Sequence, residues 1–160
     1  MPEGKGSFPT IILLHGCAGV TTGHHNWAKL IKDWGYVVFI VDSLNPRSTN
    51  NVCLRDCDAS PIKRAYDTYG AVKYLQQLQY VDGKNIGIMG FSQGAATGLK
   101  AIQKNILISA KMESIPIKAA VLFYPWCDAA LDNNIAIPTL ILIGEKDDWT
   151  LSNRCVDLKN

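Results

Sequence analysis

Five short stretches of this 160-residue chain are almost continuously apolar: Thr10 to Leu14, Tyr36 to Val41, Ile86 to Met89, Ala119 to Phe123 and Thr139 to Ile143. Stretches this short and this rich in β-branched residues predict strands, and the absence of polar alternation predicts strands covered on both faces. Between them the period changes. Trp27, Leu30, Ile31 and Trp34 recur at helical spacing, which predicts a helix of about ten residues, with Gly35 placed to end it in a left-handed conformation. Ser60 ahead of Pro61 offers an N-cap and a first-turn proline, and Ile62, Ala65, Tyr69, Val72 and Leu75 then form one apolar stripe. That helix is expected to run to about Gln79. Short strands alternating with longer amphipathic segments are the pattern of parallel strands joined by crossover helices. With no internal repeat, low-complexity tract or linker, residues 1–160 read as a single α/β domain.

Composition narrows the partners. An apolar fraction of 48% is enough for a real core in a domain of this size, which buries roughly 70% of the surface its unfolded chain exposes. Formal charge is +2, from 16 basic and 14 acidic residues, and no Lys/Arg run would track a phosphate backbone. Nucleic acid is therefore not an expected partner. No apolar run approaches the ~20 residues needed to span a bilayer, and the first residues lack the apolar core of an export signal, so a soluble, cytoplasmic protein is expected. Five cysteines, at 17, 53, 57, 127 and 155, are an odd number in a domain that needs no staples, and reduced buried thiols are the expectation. Cys53 and Cys57 have no second Cys/His pair nearby, which is weak support for zinc and leaves a local disulfide as the alternative. Neither a metal nor a cofactor is expected.

The candidate chemistry concentrates at Gly90-Phe91-Ser92-Gln93-Gly94, after an apolar strand and before the small residues Ala95, Ala96 and Gly98. A G-x-S-x-G stretch on a strand-to-helix turn projects the serine hydroxyl from the strand end at a helix N-terminus, the arrangement of a nucleophile elbow. His15-Gly16-Cys17-Ala18-Gly19 leaves the first strand and would offer a backbone N–H toward the same sheet end. With the N–H of Gln93 it would form an oxyanion hole facing the charge of a tetrahedral intermediate. The His15 ring is expected to hold its loop rather than move protons, and His24 and His25 to be solvated turn residues just before a helix. Gly144-Glu145-Lys146-Asp147-Asp148-Trp149 leaves the last strand. One of its aspartates could orient an imidazole, while the other, expected to be Asp148, would cap a helix beginning near Thr150.

Taken together, "FPTIILLHGCAG", "GYVVFIVDS", the Pro46-Arg47 loop with a later Cys53, "RAYDTYGAVKYL", "VDGKNIGIMGFSQG" and "IPTLILIGEKDDWT" resemble the dienelactone hydrolase family of α/β-hydrolases across nearly the whole chain. The resemblance implies a three-layer α/β/α sandwich around a five-stranded parallel sheet in the order 2-1-3-4-5, consistent with right-handed crossovers. It implies Ser92 as nucleophile, Asp147 as the triad acid, and the N–H groups of Cys17 and Gln93 as oxyanion donors; apart from it, His15, Trp126 and Trp149 are candidates for substrate contact. Family members carry strands ahead of the "FPTIILLHG" strand and a histidine-bearing segment after the acid, so the general base would lie beyond Asn160. Asn45-Pro46-Arg47-Ser48 departs from the family's Gly-Pro-Arg-Gly, and Arg47 reads equally as a substrate contact or a structural ion pair.

The expected function is hydrolysis of small esters or lactones, impaired by the missing base. The alternative is a catalytically inactive module that binds a ligand or partner through the same cleft. Nucleotide binding is disfavoured because no phosphate-binding glycine motif follows any strand. The fifth strand, Thr139 to Ile143, carries no charge or proline, and as a flat apolar edge it is expected to pair in a homodimer or higher assembly. The alternative cover is the segment Leu151 to Asn160.

Overall fold

The computed structural model describes residues 1–53, 59–127 and 134–156. Along them run β1 (Phe8–Leu14), α1 (Thr22–Asp33), β2 (Val37–Val41), a 3-10 turn (Asn45–Arg47), α2 (Pro61–Leu75), β3 (Val81–Phe91), α3 (Gln93–Ala101), α4 (Lys104–Ser109), β4 (Ile117–Phe123), β5 (Thr139–Leu142) and α5 (Ser152–Val156). The strands form one sheet, all pairs parallel, in the order β2-β1-β3-β4-β5, as expected. Side chains of β1 divide by parity. Ile12 and Leu14 point with Ile86, Ile88 and Leu122 into the larger core under α2 and α3, whereas Ile11 and Leu13 point with Met89 and Phe91 toward Ile31 and Trp27 of α1. Both faces of the central strands are covered, so those runs tolerate few polar residues. The Tyr69 hydroxyl donates to Ala101 O at 2.9 Å and ties α2 to α3.

Three details differ from the sequence reading. Strand β3 begins at Val81 rather than Ile86, its first half disguised by Asp82, Gly83, Lys84 and Asn85. The Asp82 carboxylate accepts from the Lys84 N–H and the Asn85 amide, and the register shifts between Phe8, opposite Val81, and Thr10, opposite Ile86. Helix α2 stops at Leu75 because Gln76 to Leu78 close into a turn, with Leu78 N–H donating to Leu75 O. Strand β5 is covered on one face only: Ile141 packs into the core, while Leu140 and Leu142 are 53% and 42% exposed. Gly35 does end α1, at φ 90° with its N–H on Lys32 O.

The expectation of reduced thiols is corrected by two disulfides, Cys17–Cys53 and Cys127–Cys155. Each joins segments that follow neighbouring strands. The loops after β1 and β2 lie side by side, with Val52 N–H donating to Cys17 O at 2.9 Å, and Cys127 follows β4 while Cys155 sits on α5 after β5. Because Cys53 pairs with Cys17, the alternative Cys53–Cys57 disulfide is also set aside; Cys57 lies outside the described residues. Among the described residues no helix is long and apolar enough to cross a membrane.

Candidate active site

Ser92 occupies the turn between β3 and α3 at φ 52° and ψ −120°, a strained backbone for a residue with a Cβ. Its neighbours leave it no alternative. A Cβ on Gly90 would come within 2.6 Å of Gly94 O and 2.8 Å of the Ala95 Cα, and one on Gly94 would meet His15 O at 2.5 Å. Backbone therefore packs where side chains would be, and the Ser92 N–H donates to Phe123 O at 3.0 Å, fastening the turn to β4. Ser92 is partly exposed, and it lines both a cavity of about 310 Å³ and a cleft of about 690 Å³.

Gln93 is the first residue of α3. Its N–H has no intrahelical acceptor and sits at the positive end of the helix dipole. The Cys17 N–H likewise has no partner among the described residues, and Cys17 and Gln93 face the same cleft as Ser92. Three restraints fix the Cys17 loop: the disulfide to Cys53, Val52 N–H on Cys17 O, and Gly19 N–H on Gly16 O. Gly16 completes the approach, because a Cβ there would lie 3.6 Å from the Ser92 Cβ.

Beneath the site lies a buried polar pair that sequence reasoning missed. Arg64, fully buried on α2, donates to Gln93 Oε1 at 2.9 Å and to His15 O at 2.6 Å. One guanidinium thus holds the residues at both sides of the proposed oxyanion hole. Its signal was a charge at position 64 on the same helix face as Thr68 and Leu75, all three buried. His15 is also fully buried: Ser43 N–H donates to its Nε2 at 3.1 Å, so the proton of the neutral ring is on Nδ1, which donates to Gly16 O at 2.6 Å. Burial, reinforced by the Arg64 charge, lowers its pKa to about 4. His15 therefore holds the loop, as expected, and the expectation that it contacts substrate is corrected, since no part of it reaches either cavity.

In the loop after β5 the capping expected of Asp148 falls to its neighbour. Asp147 does the capping: its carboxylate accepts from the Thr150 hydroxyl at 2.6 Å and from the N–H groups of Thr150 and Trp149 at 2.8 and 3.0 Å. These bonds, the Thr150 hydroxyl first, hold its pKa below the usual carboxylate value. Asp148 instead lines the larger cleft, together with Ser92, Trp126 and Trp149. His24 and His25 are not turn residues but lie inside α1, where His24 is buried. Arg47 is a structural ion pair, bidentate to Asp67 at 2.8 and 2.9 Å and donating to Ser43 O.

Comparison with solved structures finds this architecture in the crystal structure of a presumed dienelactone hydrolase from Klebsiella pneumoniae subsp. pneumoniae MGH 78578, at TM-score 0.79 and 16% identity over 98% of this chain and 69% of that one. Dipeptidyl peptidase 4 of Porphyromonas gingivalis is similar at TM-score 0.73 and 20% identity, over 96% of this chain and 26% of that one. At such identities the likeness is one of fold. No curated protein matches the chain. The model of the dienelactone hydrolase family matches residues 1–160 from end to end, and the chain belongs to that family.

Proposed function

We propose that the chain is a hydrolase of small esters or lactones that uses Ser92 as nucleophile and is limited by its general base. The observation that carries this reading is the Ser92 backbone at φ 52° between two glycines that admit no side chain, at the junction of two cavities. In the proposed reaction Ser92 Oγ gives its proton to solvent water as it bonds to the substrate carbonyl carbon, and the carbonyl π electrons move to oxygen, where the N–H groups of Cys17 and Gln93 receive the charge. Collapse expels the alkoxide, which takes a proton from water, and a further water then adds to the acyl-serine, releasing the acid and returning the Ser92 hydroxyl. Trp126 and Trp149 supply apolar walls for the substrate in the larger cleft. Asp147, kept ionised by its three donors, is the group that would orient and stabilise an imidazolium.

No described histidine suits the proton transfer. The Nε2 lone pair of His15 is taken by Ser43 N–H, the Nδ1 lone pair of His24 by Thr21 N–H, and His25 is exposed and lines neither cavity. Loss of the base in serine hydrolases costs about 10⁶ in rate, while the oxyanion hole and binding retain roughly 10³ to 10⁴ over water. Residual turnover of a short-chain p-nitrophenyl ester is therefore expected from the 160-residue chain, abolished by Ser92→Ala. Turnover unchanged in Ser92→Ala would refute the reading, and no turnover even at high enzyme concentration would favour an inactive binding module.

A further inference from the structure

The cavity of about 310 Å³ beside Ser92 is walled by aromatic rings and loop backbone, with the hydroxyl-bearing Thr21, Ser92 and Tyr124 and one buried imidazole among its lining. Trp27, Phe91 and Tyr124 line it with rings, the Trp27 and Phe91 centroids 5.9 Å apart and those of Phe91 and Tyr124 6.4 Å apart, and the backbone of the Cys17 loop closes one side. Into this lining comes His24, only 8% exposed. It occupies the third position of α1, where its Nδ1 accepts the Thr21 N–H at 3.0 Å and lies 2.9 Å from the Thr21 hydroxyl, in the manner of a capping box. With the Nδ1 lone pair committed, the proton of the neutral ring is on Nε2. Nε2 has no hydrogen-bond partner among the described residues, and it belongs to the edge of the ring turned away from Thr21.

We propose that this cavity is a substrate subsite, distinct from the tryptophan-lined cleft, which takes a compact apolar group bearing one neutral acceptor oxygen, with His24 Nε2–H as the donor that selects it. The inference rests on Ser92 as the reacting group. A ketone, ether or ester oxygen would satisfy the buried Nε2–H while the rings cover the rest of the group. A purely hydrocarbon group would bury that donor unsatisfied, which costs more than a missing bond in water. A carboxylate would exchange its hydration for neutral donors among aromatic walls with no cation in the lining, and is disfavoured.

The test separates binding from turnover. Ser92→Ala is titrated with two pairs of p-nitrophenyl or alkyl esters, one pair matched oxygen for carbon on the acyl chain (4-oxopentanoyl against 4-methylenepentanoyl) and the other on the alcohol chain, with the heat of binding as the readout. The oxygen-bearing member of the pair whose chain enters the cavity is expected to bind about five- to tenfold more tightly, the yield of one buried hydrogen bond. His24→Glu, whose carboxylate can still cap Thr21 N–H but has no N–H to donate, should bring that ratio to one or below in protein that still unfolds cooperatively. A purely structural role would weaken both members equally and leave the ratio intact, and that result, or a ratio of one in both pairs before His24 is changed, overturns the subsite. Loss of turnover in Ser92→Ala is measured separately, so failure of the hydrolase reading is seen independently of the His24 result.

Discussion

At Gly94 a single hydrogen separates the helix start from the end of β1, since any Cβ would collide with the carbonyl oxygens of Leu14 and His15, the latter at 2.5 Å, and both are backbone. Neither partner can swing aside. Gly94→Ala is predicted to cost at least about 2 kcal/mol in urea unfolding, within the range of overpacked sites, and to reduce ester turnover in whatever fraction folds; an unchanged unfolding midpoint would show that the elbow is looser than described. His15 yields a pH prediction. Its ordinary pKa of 6.5 falls to about 4 in the fold, so as pH drops the unfolded chain takes up a proton that the folded chain refuses. Stability is then complete above pH ~6.5 and declines toward pH ~4, by up to about 3 kcal/mol from this residue. His24, also lowered by burial, adds in the same direction. Urea titrations at pH 7 and pH 5 read the slope, and a flat profile between them would contradict the buried neutral ring.

The loops that follow neighbouring strands are bound together by covalent links, and this has a measurable effect on the elements. The Cys17–Cys53 disulfide closes a span of 36 residues and Cys127–Cys155 one of 28, each worth up to about 4 kcal/mol in the chain-entropy view. Cys53→Ser should lower both stability and turnover, because it frees the loop carrying the Cys17 N–H. Cys127→Ser should lower stability with a smaller effect on turnover; equal effects on turnover would mean that the Cys17 loop is held by its hydrogen bonds alone. At the sheet edge, Leu140 and Leu142 of β5 are exposed beside Phe123 of β4, opposite Leu142 in the register. We propose that the edge 139–143 pairs with a second copy of the chain, which sedimentation at micromolar concentration checks; a monomer with slowly exchanging β5 amides would rule this out. These elements also show what was legible beforehand. Ile11 to Leu14 and Val37 to Val41 announce buried strands because both faces are covered, and G-x-S-x-G announces the elbow because only glycine fits its flanks. The disulfide partners were hidden because Cys17 and Cys53 become neighbours only once β1 and β2 pair. Arg64 was hidden because a charged residue on an apolar stripe reads as surface until Gln93 and His15 are folded around it. The cap was expected at Asp148 rather than Asp147 because which of the two closes the loop depends on a turn geometry that two adjacent identical residues cannot signal.

Over the whole molecule, polar groups away from the cavities hold the loops that carry the reactive surface. Arg64 and His15 fasten the loop after β1 and the Gln93 side chain, and Arg47, after β2, pairs with Asp67, while Ser92, Cys17 and Gln93 line the cavities. What the described residues do not supply is a histidine whose free lone pair could serve Ser92. Two disulfides also belong to proteins of oxidising surroundings more than to reduced ones, which removes the support that reduced thiols gave to a cytoplasmic setting. The most direct measurement of the central claim is hydrolysis of p-nitrophenyl acetate by the oxidised 160-residue chain, with and without added imidazole, beside Ser92→Ala. A Ser92 nucleophile without a resident imidazole predicts a slow rate above that of buffer, a rise with imidazole concentration greater than imidazole alone produces, and loss of both in Ser92→Ala. An ordinary enzymic rate without imidazole, or an imidazole response that survives Ser92→Ala, would contradict it.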